Sequence, residues 1–549
     1  MGDFSMRGLS SAIRHIPPRH YPWYLLAIWV FFYLASLGLA PLFDYDETIY
    51  AQTAADMMHL GEWIVPTANG QQFFEKPPFT YYMMDLCFSL FGENAFAARL
   101  PSALFTLLTA LLLFRFGRAI HSAQFGMAAA LVYLSMFEVG LLGHAAILDG
   151  VLNFFIAASL LYYFRWLHSD QQRHALMAAT MMGLAVSIKG PVGAVVPLLV
   201  IGVERMLAGE FVALLRRIPW GRALLLFLIT ATPWYVMIWL RNGSEFLYEF
   251  IMVHNIGRAL HPMQGHGGAW HYYLVVFALS VLPWLAWMPA LLRAWQRRAD
   301  ALLPQLIRLV LIWVALVIVL FSFAQTKLPH YISCIYPGVA LGIAALWWMK
   351  PPVLLNSFTW LSRATVGLLL PVALLLLCLP LLYGSLKAWV HHPRAVAVLA
   401  QDVTPGWPIA LAGALLLAAL ILLWRQHRQP RLHHFIALGL LLQSCLLVPV
   451  GIFAGQLAQG PQSRIAEVIR TLPPTLPIYS YSLNFPSISF RSGRAYRAIN
   501  HTEAAQLLAH AARPYAVVLR SESRAQLPWL AARQPVVDQG GFLFYVVQP

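Results

Sequence analysis

Charge is scarce in this sequence. Only 11% of its 549 residues are Asp, Glu, Lys or Arg, while 60% are hydrophobic; ordinary soluble domains carry roughly 25% charged residues. That balance excludes a soluble globular chain and a disordered one alike. Cysteine is nearly missing as well. Cys87, Cys334, Cys378 and Cys445 stand singly in apolar surroundings, with no CxxC pair and no metal-ligand spacing. They read as small buried hydrophobes rather than a disulfide framework or a zinc module. Lysine is the third scarcity: the chain has five, Lys76, Lys189, Lys327, Lys350 and Lys387.

What fills the space is a series of apolar runs, each long enough to cross a hydrocarbon core of roughly 30 Å. About thirteen spans are expected, near 23–41, 98–116, 124–142, 148–165, 174–188, 190–204, 221–240, 270–291, 307–324, 330–349, 365–384, 407–424 and 433–455. A basic leader with Arg7, Arg14 and Arg19 precedes the first. Such a leader and run match a cleaved signal peptide in outline, but the length of the run and the spans that follow favour a retained anchor.

The distribution of lysine and arginine sets the orientation. With the N-terminus inside, short cytoplasmic loops collect twenty basic residues and the outer loops eight, with nine more in the tail. An odd number of spans then leaves the tail outside. The net charge of +15 is thus largely a cytoplasmic-surface charge that meets anionic headgroups, which argues against nucleic-acid binding.

Three outer segments are long enough to carry chemistry: 41–101, 241–270 and 387–407. The first, with its loop at 42–97, holds Asp44, Asp46, Glu47, Asp56, Glu62 and Glu75 among apolar residues of helical period. Met57, Met58 and Leu60, then 79–91, read as amphipathic helices lying on the membrane. After Phe453 no further span follows. Residues 456–549 alternate β-rich runs (477–482, 487–492, 515–519 and 541–547) with helical stretches near 462–471 and 502–512, which predicts a small outer α/β domain after a membrane domain of 1–455.

Three lysines on the outer side, where the charge rule disfavours them, each lie beside a proline turn. The segments are FFEKPPF (73–79), SIKGPVG (187–193) and QTKLPHY (325–331). Lys189 interrupts a long apolar stretch, where a charge at membrane depth costs roughly 2.5–3.5 kcal/mol; the Gly-Pro after it lets the chain turn and leaves the lysine at the mouth of a cavity. Snorkelling to the interface accounts for one such lysine, but three on one face suit a phosphate-linked substrate. The acids stand opposite. FDYDETIYA (43–51) follows the first span, and Asp149, in HAAILDG (144–150), opens the fourth from the same side. Lysines neutralise a phosphate while a carboxylate orients or deprotonates a nucleophile.

The set DE-x-x-YA, EKPP, an acid opening the fourth span, SxKGP and KLPHY…YP resembles the bacterial membrane glycosyltransferases of family 39. These are relatives of the protein O-mannosyltransferases and of the lipid A aminoarabinose transferases. The resemblance implies a GT-C fold of about thirteen transmembrane helices with a small C-terminal α/β domain in the periplasm. It implies inverting transfer of a sugar from undecaprenyl phosphate to an acceptor at the outer face of the bacterial inner membrane. That acceptor is a lipid such as lipid A, or a protein; a flippase of lipid-linked sugar is the rival reading from another class. By the resemblance Asp46 is the catalytic aspartate, Lys76 stands next to the donor phosphate, and Asp149 and Lys189 are further cavity residues. Asp149 is expected to be catalytic with Asp46, and Lys189, Lys327 and Tyr331 to bind the donor phosphate with Lys76. His330 and Tyr331, beside Lys327, read equally as donor contacts or interface anchors. Glu47, Tyr50 and Arg258 complete the cavity. Glu75 and His254, in VHNIGRA (253–259), match a pair that holds one divalent ion, zinc or magnesium, in a relative. Two positions depart from the aminoarabinose pattern: Ile49 replaces a basic residue after the DE pair, and Phe73 a tyrosine before EKPP.

Overall fold

The computed structural model describes residues 17–261, 267–295, 301–349, 352–426, 431–508 and 513–548. Arg7 and Arg14 of the leader, Lys350, Arg297, Arg298 and Arg428 of the inner loops, and 509–512 of the expected 502–512 helix lie outside them.

Within lipid a chain must satisfy its own backbone, so apolar runs become helices. Each of the thirteen expected segments is helical. Among the described residues, seven helices are long and apolar enough to cross a membrane, and up to ten if each of three bent pairs is one span. This is a multi-pass membrane protein. The bends fall between Ala123–Leu134 and Phe137–Gly143 (72°), at Pro233 (53°), and between Tyr272–Ser280 and Trp284–Ala294 (107°), across Pro283. The remaining expected spans are shorter or less apolar helices: Tyr21–Phe32, Gln172–Lys189 and Val192–Leu207. Close helix packing rests on small residues, as membrane helices require. A methyl group on Gly117 of Ala95–Ile120 would lie 2.5 Å from the Gly126 Cα of Ala123–Leu134.

The 42–97 segment holds two helices, Asp46–Leu60 and Phe79–Phe91. Between them lies a hairpin, Thr67–Ala68 against Gln71–Gln72. Its Asn69-Gly70 turn has φ of 55° and 77°, the Asn-Gly signature of a two-residue hairpin turn. Exposed Leu86, Leu90 and Phe91 form the outward face of the second helix, while Thr80, Tyr81, Met84 and Phe88 are buried.

The Gly451–Thr471 helix carries the chain into the C-terminal sheet. Five strands lie in the order Arg497–Ile499, Ile478–Tyr481, Tyr515–Arg520, Phe542–Val547, Val537–Gln539; the first three run parallel and the last two pair antiparallel. The central strand alternates strictly. Tyr515, Val517 and Leu519 face one apolar cluster, Ala516 and Val518 the other, as a strand covered on both faces must. One expectation is corrected here. Residues 487–492 are a helix, Pro486–Ser492, not a strand. The S-I-S-F alternation mimics a strand, but Pro486 stands at the helix start and Gly493, at φ 66°, closes it, both favoured for helix ends.

Candidate active site

Lys189 and Asp149 sit where helix geometry favours them. Asp149 is the first residue of Asp149–Ser169, and Lys189 the last of Gln172–Lys189. A carboxylate at a helix N-terminus and an ammonium at a C-terminus both complement the helix dipole. The turn after Lys189 needs glycine: Gly190 has φ 79°, and a methyl group there would meet Phe250 Cζ at 2.9 Å. The two charges pair closely. Lys189 Nζ donates to both Asp149 oxygens at 2.7 Å, and its ammonium lies 4.8 Å from the centre of the Tyr331 ring. His330 Nε2 approaches Asp149 Oδ2 at 3.7 Å.

A second pair faces the first. Arg258 Nη2 donates to Glu75 Oε2 at 2.6 Å and Nη1 reaches the Tyr331 hydroxyl at 3.4 Å. Its backbone is tied in turn, its carbonyl accepting from Thr326 N–H at 3.1 Å. Lys76 is 7% exposed and donates to the Glu75 carbonyl at 3.0 Å. Burial, helped by the nearby Arg258, pushes its ammonium down to about 7.

These groups surround one cavity of about 170 Å³, lined by Lys76, Asp149, Lys189, His254, Arg258 and Tyr331 together with Asn153, Asn255, Cys334 and apolar residues. Three cations, Lys76, Lys189 and Arg258, face two carboxylates, Asp149 and Glu75. With Lys76 protonated the cations outnumber the carboxylates by one, and a poorly solvated place with that balance receives one anionic group.

Asp46 is half-buried at the start of its helix. Among the described residues its carboxylate has no recorded hydrogen bond or ion pair, and its charge reaches Tyr50 and His330. Burial, then Asp46, raises the Tyr50 phenol well above its usual range; its ring lies 6.0 Å from that of Tyr81.

Of the expected site residues, Asp46, Glu47, Tyr50, Glu75 and Lys327 are not part of the cavity's lining. Lys327 donates to the Ser322 and Ala324 carbonyls, and so caps the end of Leu302–Phe323 rather than lining the cavity. A lysine just past a helix end meets unsatisfied carbonyls first. Glu47 is locked to Arg99, with Nε and Nη2 each at 2.8 Å, and accepts from the Phe43 and Ala146 N–H groups at 2.9 and 2.8 Å. It braces the loop instead of facing a substrate. Asn153 was legible but passed over: one helical turn after Asp149 it shares that residue's face, and it bonds Ser333 at 3.0 Å.

The implied divalent ion fits poorly. Burial lowers His254, whose Nδ1 is buried without a partner, but Glu75 is already held by Arg258, and no group of three metal-ligating side chains occurs among the described residues. Two ligands, one engaged, beside Lys76 and Arg258 do not make a cation site.

Residues 75–239 match the family described as dolichyl-phosphate-mannose-protein mannosyltransferase. The chain is 31% identical over 329 residues to an undecaprenyl phosphate-alpha-4-amino-4-deoxy-L-arabinose arabinosyl transferase of Aeromonas hydrophila, covering 59% of each chain. It is 32% identical over 335 residues to the Serratia proteamaculans protein of the same name, covering 58% of each. The match thus spans somewhat under two thirds of these relatives' length. In three dimensions the chain superposes on the crystal structure of ArnT from Cupriavidus metallidurans bound to undecaprenyl phosphate with a TM-score of 0.78, covering 95% of this chain and 97% of that one at 21% identity.

The chain has the GT-C fold. The resemblance carried by DE-x-x-YA, EKPP and SxKGP holds, and Lys76 of EKPP and Lys189 of SxKGP line one cavity. Lys76, Asp149 and Lys189 are brought together there by residues far apart in sequence.

Proposed function

We propose that the chain is an inverting glycosyltransferase that moves a sugar of the aminoarabinose type from undecaprenyl phosphate to a lipid such as lipid A. It acts at the periplasmic face of the bacterial inner membrane. The observation that carries this reading is the convergence of Lys76, Lys189 and Arg258 on one cavity; the unengaged carboxylate of Asp46 stands outside its lining, near enough for its charge to reach Tyr50 and His330. The relatives' names supply the donor class.

In this reading the donor phosphate rests among the three cations, with Tyr331 beside them. The acceptor oxygen attacks the anomeric carbon opposite the phosphate; the carbon–phosphate-oxygen bond breaks, and undecaprenyl phosphate leaves with the electron pair. Asp46 orients the acceptor and takes its proton if that acceptor is a hydroxyl, whereas an ionised phosphate acceptor has none to give. Asp149 holds Lys189 toward the phosphate. A metal has no part in the proposal, because Arg258 already occupies Glu75. Residues 1–455, with the 42–97 loop, form the catalytic membrane domain, and 456–549 the periplasmic one.

Mass spectrometry of lipid A and polyprenyl lipids, from cells with and without the protein, tests the reading. The expected result is loss of a sugar from lipid A and accumulation of its polyprenyl phosphate form. Accumulated donor with unchanged lipid A would move the acceptor to a protein or another lipid. No change in either pool, with the protein expressed, would remove the transferase.

Lys76 adds a pH signature. An ammonium near 7 is charged below that pH and neutral above it. Binding of an anion then requires proton uptake above pH 7, so affinity falls as pH rises, by roughly tenfold per unit while the bound form stays protonated. Titration calorimetry with a short polyprenyl phosphodiester, whose single charge does not titrate, is expected to give this slope from pH 7 to 9. Lys76→Gln should flatten it.

A further inference from the structure

The C-terminal Pro486–Ser492 helix lies against the turn that presents Asp46, although more than four hundred residues separate them in sequence. At its start, Ser487 meets the carboxylate of Asp44. Asp44 Oδ1 accepts from the Ser487 N–H at 3.1 Å and from the Thr48 hydroxyl at 2.5 Å. Oδ2 accepts from the Ser487 hydroxyl. With its amide turned to satisfy both atoms, Gln459 donates to Asp44 Oδ2 at 3.1 Å and accepts from the Asp44 N–H at 3.1 Å. At the helix's other end, Arg491 donates to the Leu42 carbonyl at 2.9 Å.

From the opposite side the same turn is gripped by Arg99, which donates to the carbonyls of Ala40 and Pro41 at 2.7 and 2.9 Å and holds Glu47. Between these two grips the Asp46 side chain is left without a recorded tie. A second contact between the two regions is independent of the turn. Asn69, at the hairpin tip, donates to the Tyr496 carbonyl at 2.6 Å and accepts from the Tyr496 N–H at 3.0 Å. A C-terminal domain that served only as a cover would not need to satisfy a half-buried carboxylate two residues from the reacting one.

We propose that Ser487 and Arg491 are positioning residues for Asp46, acting through the Asp44 carboxylate and the Leu42 carbonyl, so that the C-terminal domain completes the active site. This rests on the role given to Asp46 above. Removing one donor from this half-buried carboxylate loosens its hold on the turn and lets the turn shift, and a displacement of about 1 Å at a reacting group lowers rate by about 10²-fold.

The test is a double-mutant cycle on the full-length protein with Ser487→Ala and Asp44→Asn, read as kcat for transfer beside affinity for undecaprenyl phosphate. Each single change is expected to lower kcat by about 10- to 10²-fold with affinity unaltered, because the three phosphate-facing cations lie on other elements. The double variant should be no slower than the slower single one. Hydrogen exchange should rise across 42–48 in Ser487→Ala while the Asp149–Ser169 helix keeps its protection. If Ser487→Ala does not fold, Ser487→Gly takes its place in the same cycle, and Arg491→Met, which frees the Leu42 carbonyl, is read singly for the same loss of kcat at unaltered affinity. Wild-type kcat in Ser487→Ala, equal losses of kcat and affinity, or effects that multiply in the double variant would each overturn the inference. A wild-type protein that transfers no sugar would overturn the proposed function first and take this inference with it.

Discussion

With a hydroxyl acceptor, an Asp46→Asn protein is expected to lose transfer by about 10²–10⁴-fold, the range for removing a positioned acid–base group, and to lose it in kcat rather than in donor affinity. The structure separates Asp46 from the other acids of its loop. Asp44 is saturated by Thr48, Ser487 and Gln459. Glu47 is bonded to Arg99 and to two backbone N–H groups, and Glu75 to Arg258. Even Asp149, the other acid expected to be catalytic, has both oxygens on Lys189. A carboxylate saturated with donors is a poor base, since those bonds stabilise its charged form. Asp46 alone in this set carries no such bond, and asparagine preserves its shape and its place at the helix start. Steady-state kinetics with donor and acceptor varied separately would read the split. Full kcat in Asp46→Asn would remove the carboxylate from the mechanism, and a loss in donor KM alone would reassign it to binding.

The motifs were legible because each couples a charge to a backbone device. Lys189 precedes a Gly-Pro turn, Lys76 a pair of prolines, and Asp149 opens a helix. Such pairings place a charge at the end of an apolar run whatever the tertiary arrangement. Lys327 has the same local form, but its sequence does not say whether the ammonium turns to the cavity or back to its own helix, and the carbonyls of Ser322 and Ala324 lie nearer. Glu47 and Arg99 escaped notice as partners because fifty-two positions separate them and charge alone does not choose a partner. The 487–492 segment misled through its alternation: over six residues a period of two and a helical turn overlap, and Pro486 with Gly493 was the more informative signal. That segment proves to be the contact between the C-terminal sheet and the turn of Asp46. A misread element therefore hid an interdomain relation.

Breaking the Lys189–Asp149 pair should have two separable effects. With side chains 13% and 5% exposed, the pair is close to buried, and removing one member leaves the other charge uncompensated at a cost of about 3–5 kcal/mol. Lys189→Met alone is thus expected to lower thermal stability sharply. Lys189→Met combined with Asp149→Asn removes both charges, and replacing a whole buried pair is often nearly neutral, so stability should return. Donor binding should not. If Lys189 contacts the phosphate, the double variant still lacks a charge-assisted bond whose loss costs about 2–5 kcal/mol, whereas a purely structural pair would let undecaprenyl phosphate bind at wild-type affinity once stability is restored. Thermal unfolding in detergent, beside equilibrium binding of undecaprenyl phosphate to the same three proteins, distinguishes the two. Recovery of both quantities in the double variant would make the pair a structural brace and leave the phosphate to Lys76 and Arg258.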